Sequence, residues 1–300
     1  MRVKLREVTA CRHMLQGAAR CLLPMFLAVL VFLPPGSLGQ QVGLPDTNLI
    51  HWAYAAAFGT GIYQLGEDSR TFVFRIRPTI KKSFSFQNHL GGRKFYLEIR
   101  LPVTIGLHEF SLTELLSPNV RQVSFTPGVM LQIPLLRNWD VQLFGNFGGG
   151  AELGDSRDAA WIYWGGINSR LTFRLFNTDF ALLNSVGSYG FTPRNGGTEA
   201  ISILTTGLEW NQRLGSLEMG TEPLFLRTTV LYYNYFEGLD ILWNPGRDPI
   251  SLSWEWEIGI SLSKNTPFKL WFFSFDRLGI GYRFSPNSSG IRFISYSVFY

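Results

Sequence analysis

The chain has very few of the residues on which most catalytic and cross-linked sites depend. Its only two cysteines, Cys11 and Cys21, lie near the start, and it has four histidines in 300 residues. A disulfide framework, thiol catalysis and a cysteine-ligated zinc site are therefore excluded from the rest of the chain. Charged residues make up only 16% of it, and no apolar run reaches the roughly 20 residues that a membrane-spanning helix needs.

The first 39 residues are typical of an export signal. Five basic residues come first: Arg2, Lys4, Arg6, Arg12 and Arg20. An apolar run at 21–33 follows, and a Pro-Pro-Gly break at 34–36 leads to small residues at 37–39, a cleavage site before Gln40. We expect residues 1–39 to be a signal peptide, with Met1 or Met14 as its start, and residues 40–300 to be the mature protein.

Removal of this signal changes what the net charge implies. Residues 1–39 hold five of the 27 Lys and Arg and one of the 22 Asp and Glu, so 22 basic and 21 acidic residues remain, a net charge of +1. The basic pI of about 9.3 therefore comes from the signal. We expect no nucleic-acid partner, since such a partner requires a basic surface.

Residues 250–263 alternate between apolar and polar along their whole length. The apolar positions are Ile250, Leu252, Trp254, Trp256, Ile258, Ile260 and Leu262. Successive side chains of a strand point to opposite faces, so the pattern predicts a strand with an apolar face and a polar face that carries Glu255 and Glu257. Its 14 residues exceed the about 5–6 of an ordinary strand and suffice for a tilted transmembrane strand of about 9–11 residues.

The same alternation recurs along the mature chain. The candidate strands are 51–63, 71–81, 94–107, 121–135, 139–149, 160–175, 179–191, 200–212, 223–236, 250–263, 268–284 and 290–300. Short turns (137–138, 176–177, 264–267) alternate with longer, more acidic loops (107–119, 150–159, 192–199, 237–248). We expect an all-β fold, a single antiparallel transmembrane β-barrel of about 12 strands over residues 40–300. The alternative is a soluble β-sandwich, in which the apolar faces would pack on each other.

The last strand carries apolar side chains at alternate positions: Ile294, Tyr296, Val298 and Tyr300. A terminal aromatic residue preceded by such a pattern resembles the C-terminal targeting strand of bacterial outer-membrane β-barrel proteins. The resemblance implies a location in the bacterial outer membrane, with lipid, lipopolysaccharide and the barrel-assembly machinery as partners. Twelve strands without a recognisable passenger also resemble a solitary autotransporter-type barrel. Arg292 interrupts the pattern, and we expect its long side chain to reach the membrane interface.

With the apolar faces outward, the lumen receives an excess of basic side chains. The basic ones are Arg75, Arg77, Lys81, Arg100, Arg170, Arg174, Arg227, Arg277 and Arg283. The acidic ones are Glu98, Asp140, Glu209, Glu255 and Glu257. This excess predicts a small passive pore with a mild preference for anionic solutes. The same charges, interlocked with one another, would instead close the lumen and leave a structural or autotransporter-like barrel without transport.

Catalytic and metal sites have little support in the sequence. Beyond residue 39 the histidines are His51, His89 and His108, and only His108 has a carboxylate and a hydroxyl close by, at Glu109 and Ser111. Such a group at an outer rim would suit an outer-leaflet hydrolase. A single histidine beside a loop carboxylate is more often an ordinary surface feature, so we expect no enzyme. No residues have metal-ligand spacing, and we expect no metal and no cofactor.

Overall fold

The computed structural model describes residues 58–65, 69–84, 94–108, 122–153, 159–175, 178–194, 198–241, 250–270 and 273–296. All of them belong to one compact unit, Leu44–Tyr300, and the expected signal peptide lies outside the described residues. Within the described ranges, no helix is long and apolar enough to cross a membrane.

Fifteen strands make up this unit. They are β1 (Gly61–Leu65), β2 (Ser69–Ile76), β3 (Thr79–Phe84), β4 (Phe95–Arg100), β5 (Val103–His108), β6 (Gln122–Phe125), β7 (Gly128–Leu136), β8 (Trp139–Glu152), β9 (Ala159–Leu175), β10 (Thr178–Pro193), β11 (Glu199–Met219), β12 (Glu222–Ile241), β13 (Ile250–Leu270), β14 (Phe273–Phe284) and β15 (Ser288–Ile294). Three successive pairs, β2 with β3, β4 with β5 and β6 with β7, are single crossings that are each interrupted by two residues. Twelve crossings result, as the sequence predicts.

The twelve crossings form a closed antiparallel barrel. Each crossing pairs with the next one along the chain, from β1 with β2 through to β14 with β15. The last strand then pairs with the first, where Gly61 lies opposite Arg292 and Leu65 opposite Ser288. Closure satisfies the backbone hydrogen bonds that an open sheet edge would leave unpaired.

A proline stands at each of the three interruptions. Pro78, Pro102 and Pro127 have no N–H to give to the ladder, so strand pairing lapses for two residues at each of them. Their carbonyl oxygens still accept bonds from the neighbouring crossings. Leu101 N lies 2.9 Å from Pro78 O, Thr126 N 3.2 Å from Pro102 O, and Phe147 N 3.0 Å from Pro127 O. The three prolines therefore lie side by side across one part of the wall, and the register continues on both sides of them.

The outer surface of the barrel is apolar. Large exposed side chains on this face include Phe74, Ile99, Leu143, Phe173, Trp256, Ile258, Ile260, Ile280, Tyr282, Ile291 and Phe293. Aromatic pairs stack on it, with ring centroids 5.4 Å apart for Phe147 and Trp161 and 5.6 Å apart for Tyr282 and Phe284. A water-soluble sandwich would bury these faces against each other. The apolar face that the alternation predicts is therefore the outside of a barrel.

The structure contradicts three details of the sequence interpretation. Leu252 is only 1% exposed and packs inside the barrel, because the pairing of β12 with β13 shifts between Asn234 and Leu239 and changes the face. Residues 264–267 are not a turn, since β13 continues to Leu270 through another register shift. Arg292 does not reach an interface, because it points into the lumen and pairs with Glu257.

Candidate functional site

Glu209 is the centre of the first charged cluster in the lumen. Its carboxylate receives Arg277 Nη1 at 2.6 Å, Arg170 Nη2 at 2.6 Å and Arg227 Nη1 at 3.2 Å. The three arginines come from β14, β9 and β12, on both sides of β11, and two of these strands, β9 and β14, are not neighbours of β11. Glu209 and Arg277 are almost fully buried. One carboxylate therefore holds three guanidinium groups within the lumen.

A second cluster surrounds Glu255 and Arg283, which are 2% and 1% exposed. Arg283 Nε lies 2.7 Å and its Nη2 2.6 Å from Glu255 Oε2. Ser288 Oγ donates to the other carboxylate oxygen at 2.5 Å, and the Tyr235 hydroxyl donates to Oε2. This carboxylate is thus saturated by donors from β12, β14 and β15.

Glu257, two residues along β13, extends the same cluster. Tyr233 Oη donates to Glu257 Oε2 at 2.8 Å, and Arg292 Nη2 lies 2.9 Å from Oε1. The guanidinium of Arg283 lies over the Tyr233 ring at 4.0 Å and over the Phe58 ring at 4.7 Å. Because cation–π contacts strengthen when water is excluded, this sandwich holds Arg283 in one position.

Phe58 brings the segment before β1 into the lumen. It is 6% exposed, its ring lies 5.1 Å from that of Tyr63, and the Tyr63 hydroxyl donates to the Phe58 carbonyl oxygen at 2.5 Å. Around these two rings lies an apolar core inside the barrel. It includes Val73, Ile162, Trp164, Leu183, Phe191, Ile203, Leu231, Tyr233, Tyr235 and Leu252. Apolar packing and ion pairs together fill this part of the lumen.

Further charged residues lie on the wall formed by β2, β3 and β4. Arg100 Nε lies 2.9 Å from Glu98 Oε1, and both side chains are buried. Arg75 lies over the ring of Trp164 at 5.2 Å, Arg77 over Tyr296 at 4.6 Å, and Lys81 over Tyr96 at 4.8 Å. Aromatic faces thus orient the cations on this wall.

The residues expected in the lumen differ in how far water reaches them. Buried positions are Glu98, Arg100, Glu209, Glu255, Glu257, Arg277 and Arg283. Half-buried positions are Arg75, Arg77, Asp140, Arg170 and Arg227. Lys81 and Arg174 are exposed near strand ends, where Arg174 Nε pairs with Asp179 Oδ1 at 2.7 Å. The charged residues predicted for the lumen thus fall into two groups: those in the middle of the barrel are buried or half-buried, and those near strand ends are exposed.

The side chains at the end of the chain also differ in the face to which they point. Ile294 is 3% exposed and faces inward, whereas Ile291 and Phe293 are on the outer face. Tyr296 is half-buried, with its ring 6.1 Å from that of Phe275. Val298 and Tyr300 lie outside the described residues, so the assembly signal stays a prediction.

The apolar core of the lumen is the feature that the sequence interpretation missed. Trp164, Leu183 and Leu231 occupy inward positions that an assignment of faces from charged residues passed over, and Leu252 was wrongly assigned to the apolar outer face. Large apolar residues at the inward positions of three neighbouring strands would have been the signal. The alternation predicted for 51–63 placed Phe58 on the apolar outward face, and this was wrong: β1 begins only at Gly61, and the Phe58 ring packs in the lumen.

No catalytic or metal constellation stands out in the described part of the chain. His108 ends β5 opposite Thr71, while Glu109 and Ser111 lie outside the described residues. No group of three or more His, Cys, Asp or Glu within the described ranges could hold a metal ion. The described charged side chains inside the barrel make ion pairs and hydrogen bonds.

Comparison with known proteins gives limited results. No family model matches the chain, and no curated protein matches it. Among solved structures it is similar to the beta domain of the Bordetella autotransporter BrkA, with 10% identity and a TM-score of 0.49 over 78% of this chain and 95% of that one. Two chains this far apart do not allow a function to be transferred, and the barrel fold is established by the strand pairing itself.

Proposed function

We propose that this chain is an integral β-barrel of the bacterial outer membrane whose own side chains close its lumen. In this role it is a structural or autotransporter-like membrane element without passive transport. One observation carries the proposal: Glu209, Glu255 and Arg283, which point into the lumen, are each no more than 2% exposed. Charged groups that line a water-filled pore remain hydrated, whereas Glu209 is bonded to arginines, including Arg277, and Glu255 is bonded to Arg283.

The outer face supports the membrane location. A belt that includes Ile258, Ile260 and Ile280 is about half exposed, and aromatic residues flank it, as on transmembrane barrels. Outer-membrane lipid and lipopolysaccharide are the partners of such a surface, and the barrel-assembly machinery would read the terminal strand. Membrane fractionation with a heat-modifiable shift in gel mobility tests this location. A mature chain that stays soluble in the periplasm would overturn it.

Closure follows from the way the two clusters are bonded. Arg283 donates to Glu255 and lies between the rings of Phe58 and Tyr233, so an ion that passed this level would have to separate an ion pair and displace two rings. Separating a buried pair strands a charge away from water, which is costly. The side chains of this level therefore act as a plug.

Planar-bilayer conductance of the purified mature protein is the decisive experiment. We expect an electrically silent wild-type barrel and a measurable conductance in Phe58→Ala, which removes a ring from the lumen without removing a charge. Phe173→Ala is the matched control, since Phe173 is 40% exposed on the outer face, and it should stay silent. A steady conductance in the wild type would reject the closed barrel.

A passive pore with a mild anion preference is the second candidate. It is favoured by the local charge around Glu209, where three arginines surround one carboxylate. If the wild type conducts, anion selectivity should fall in Arg170→Ala and Arg227→Ala. Equal selectivity in these variants and the wild type would count against the pore.

We further propose that the chain is not an enzyme. The proposal is supported by the chemistry of the lumen, in which the described carboxylates of Glu209, Glu255 and Glu257 are all bonded to arginine. Assays of phospholipid and peptide hydrolysis with the folded barrel should give no turnover. Activity that His108→Ala abolished would establish an outer-leaflet hydrolase instead.

A further inference from the structure

A polar cavity lies beside the seam where β1 meets β15, and it shares Arg292 with the second cluster. It has a volume of about 110 Å³, and its polar side chains are Thr60, Arg75, Arg77, Arg292, Ser295 and Tyr296. A cavity that holds one water molecule has a volume of about 10–15 Å³ on the same measure, so the space is sufficient for a tetrahedral oxyanion. Its three cations come from two parts of the chain: Arg75 and Arg77 belong to the crossing formed by β2 and β3, and the pairing of β1 with β15 brings Arg292 beside them.

The three arginines are held in position by contacts that are compatible with a bound anion. Arg77 lies over the Tyr296 ring and Arg75 over the Trp164 ring, at 4.6 and 5.2 Å. Arg292 is oriented by Glu257, with Nη2 2.9 Å from Oε1. Stacking engages the face of a guanidinium, whereas an oxyanion binds at its edge, so both contacts can be made at once.

Thr60 fixes the backbone on both sides of this cavity. Its hydroxyl donates to Arg75 O at 3.1 Å and accepts from Arg75 N at 3.0 Å. Its carbonyl oxygen accepts a bond from Phe293 N at 2.8 Å. The segment before β1 thus links β2 to β15, and the arginines on those strands are presented by a braced backbone.

The charge of the wall favours an anion. Among the described residues that line the cavity, three are cationic and none carries a carboxylate. Two acids near these cations belong to ion pairs, Glu98 with Arg100 and Glu257 with Arg292, and Asp276 is exposed close to Tyr296. Like charges close together repel each other, and an anion at their centre turns that repulsion into attraction.

We propose that this cavity binds a phosphate-type oxyanion through Arg75, Arg77 and Arg292. The planar fork of arginine donors matches the geometry of phosphate oxygens and supports two parallel hydrogen bonds from one side chain. The phosphate group belongs either to free inorganic phosphate or to the headgroup of a membrane lipid. The site is independent of whether the lumen conducts, because it depends on the seam and not on the level of Glu255.

Equilibrium dialysis of the detergent-solubilised barrel against radiolabelled inorganic phosphate tests the free-anion source. We expect saturable binding of one phosphate per chain at constant ionic strength, weakened at least about tenfold in Arg75→Gln and Arg77→Gln, as for a lost charge-assisted bond. Arg213→Gln, at an exposed position on β11, should bind like the wild type. Heat-modifiable gel mobility verifies that each variant is folded.

A second experiment tests the lipid source, and a further variant is provided in case a glutamine variant fails to fold. Native mass spectrometry of the barrel from phosphatidylglycerol vesicles, compared with neutral glycolipid vesicles, should detect one retained phospholipid that Arg77→Gln loses. Arg77→Lys keeps the charge without the planar fork and should bind phosphate more weakly than the wild type while remaining folded. Phosphate or phospholipid binding that is unchanged in the folded variants, or absent in both arms with the wild type, would overturn the site.

Discussion

Arg277 and Glu209 are 68 residues apart in the chain, yet Arg277 Nη1 lies 2.6 Å from Glu209 Oε2. Two complete strands, β12 and β13, separate β14 from β11 in the barrel wall. The ion pair therefore spans an arc of the lumen and braces the wall from inside. In the closed barrel that we propose, this ion pair joins strands that the sheet itself does not pair.

Loss of the carboxylate at the centre of the first cluster should destabilise the barrel strongly. In Glu209→Gln, Arg170, Arg227 and Arg277 lose the anion that balances them, and breaking a buried pair costs about 3–5 kcal/mol. Denaturant unfolding in lipid measures the loss. Asp179→Asn is the control, since it breaks an exposed pair with Arg174 and should change stability little. Equal effects of the two changes would contradict the buried network.

A charge on the outer belt should cost stability in a bilayer. Ile258 is 50% exposed on this face, and Ile258→Arg should destabilise the barrel by about 2–4 kcal/mol if it lies near the bilayer midplane. Leu217→Arg, also on an exposed leucine but close to the turn that ends β11, should be tolerated. Folding titrations in lipid vesicles compare them. If Leu217→Arg lowered the stability of the barrel as much as Ile258→Arg, the apolar belt of the outer face would not be centred near Ile258.

Gly279 should not accept a side chain. A Cβ there would lie 2.1 Å from the Ile260 carbonyl oxygen and 2.5 Å from Ser261 Cα, atoms of the neighbouring strand that cannot move aside alone. We expect Gly279→Ala to lower the yield of folded barrel. At Gly145, by contrast, nothing lies within 4 Å of the added Cβ, and Gly145→Ala should assemble normally. Heat-modifiable gel mobility measures both, and normal assembly of Gly279→Ala would refute the close approach.

The terminal residue should matter for assembly in cells. Deletion of Tyr300 removes the aromatic end of the pattern that resembles an outer-membrane targeting strand, so we expect less barrel in the membrane fraction. Asn287→Ala, an exposed change in the turn before β15, should leave the yield unchanged. An undiminished yield without Tyr300 would show that the assembly machinery does not depend on it.

Much of the fold could be predicted because side-chain alternation is a local property. Phe125, Val129 and Leu143 face outward as the pattern requires, while Gln132 and Asn146 face inward and are buried. The prediction was wrong where the register shifts. Leu252 changes face near the irregularity between Asn234 and Leu239, where four residues of β12 (235–238) lie opposite one residue of β13 (253), and regular alternation does not continue through such a bulge.

The candidate site was predicted only as a set of charges. The alternation along each strand placed Glu209 on the inner face, together with Arg170, Arg227 and Arg277. It did not predict that the one carboxylate would bind all three arginines. It also assigned Arg292 to the interface, although this residue bonds to Glu257 inside the barrel. Pairing across a lumen depends on the stagger and curvature of the wall, which no local pattern encodes.

The sequence by itself determined the twelve crossings and the apolar outer face, because both follow from a two-residue period and from turns between strands. Only the tertiary structure decided what fills the lumen. Closure of β15 on β1 brings Phe58 against Arg283 and sets Arg292 beside Arg75 and Arg77 at the cavity of the seam. These contacts join residues from distant strands, so they exist only once the ring has closed and its stagger has set which side chains meet.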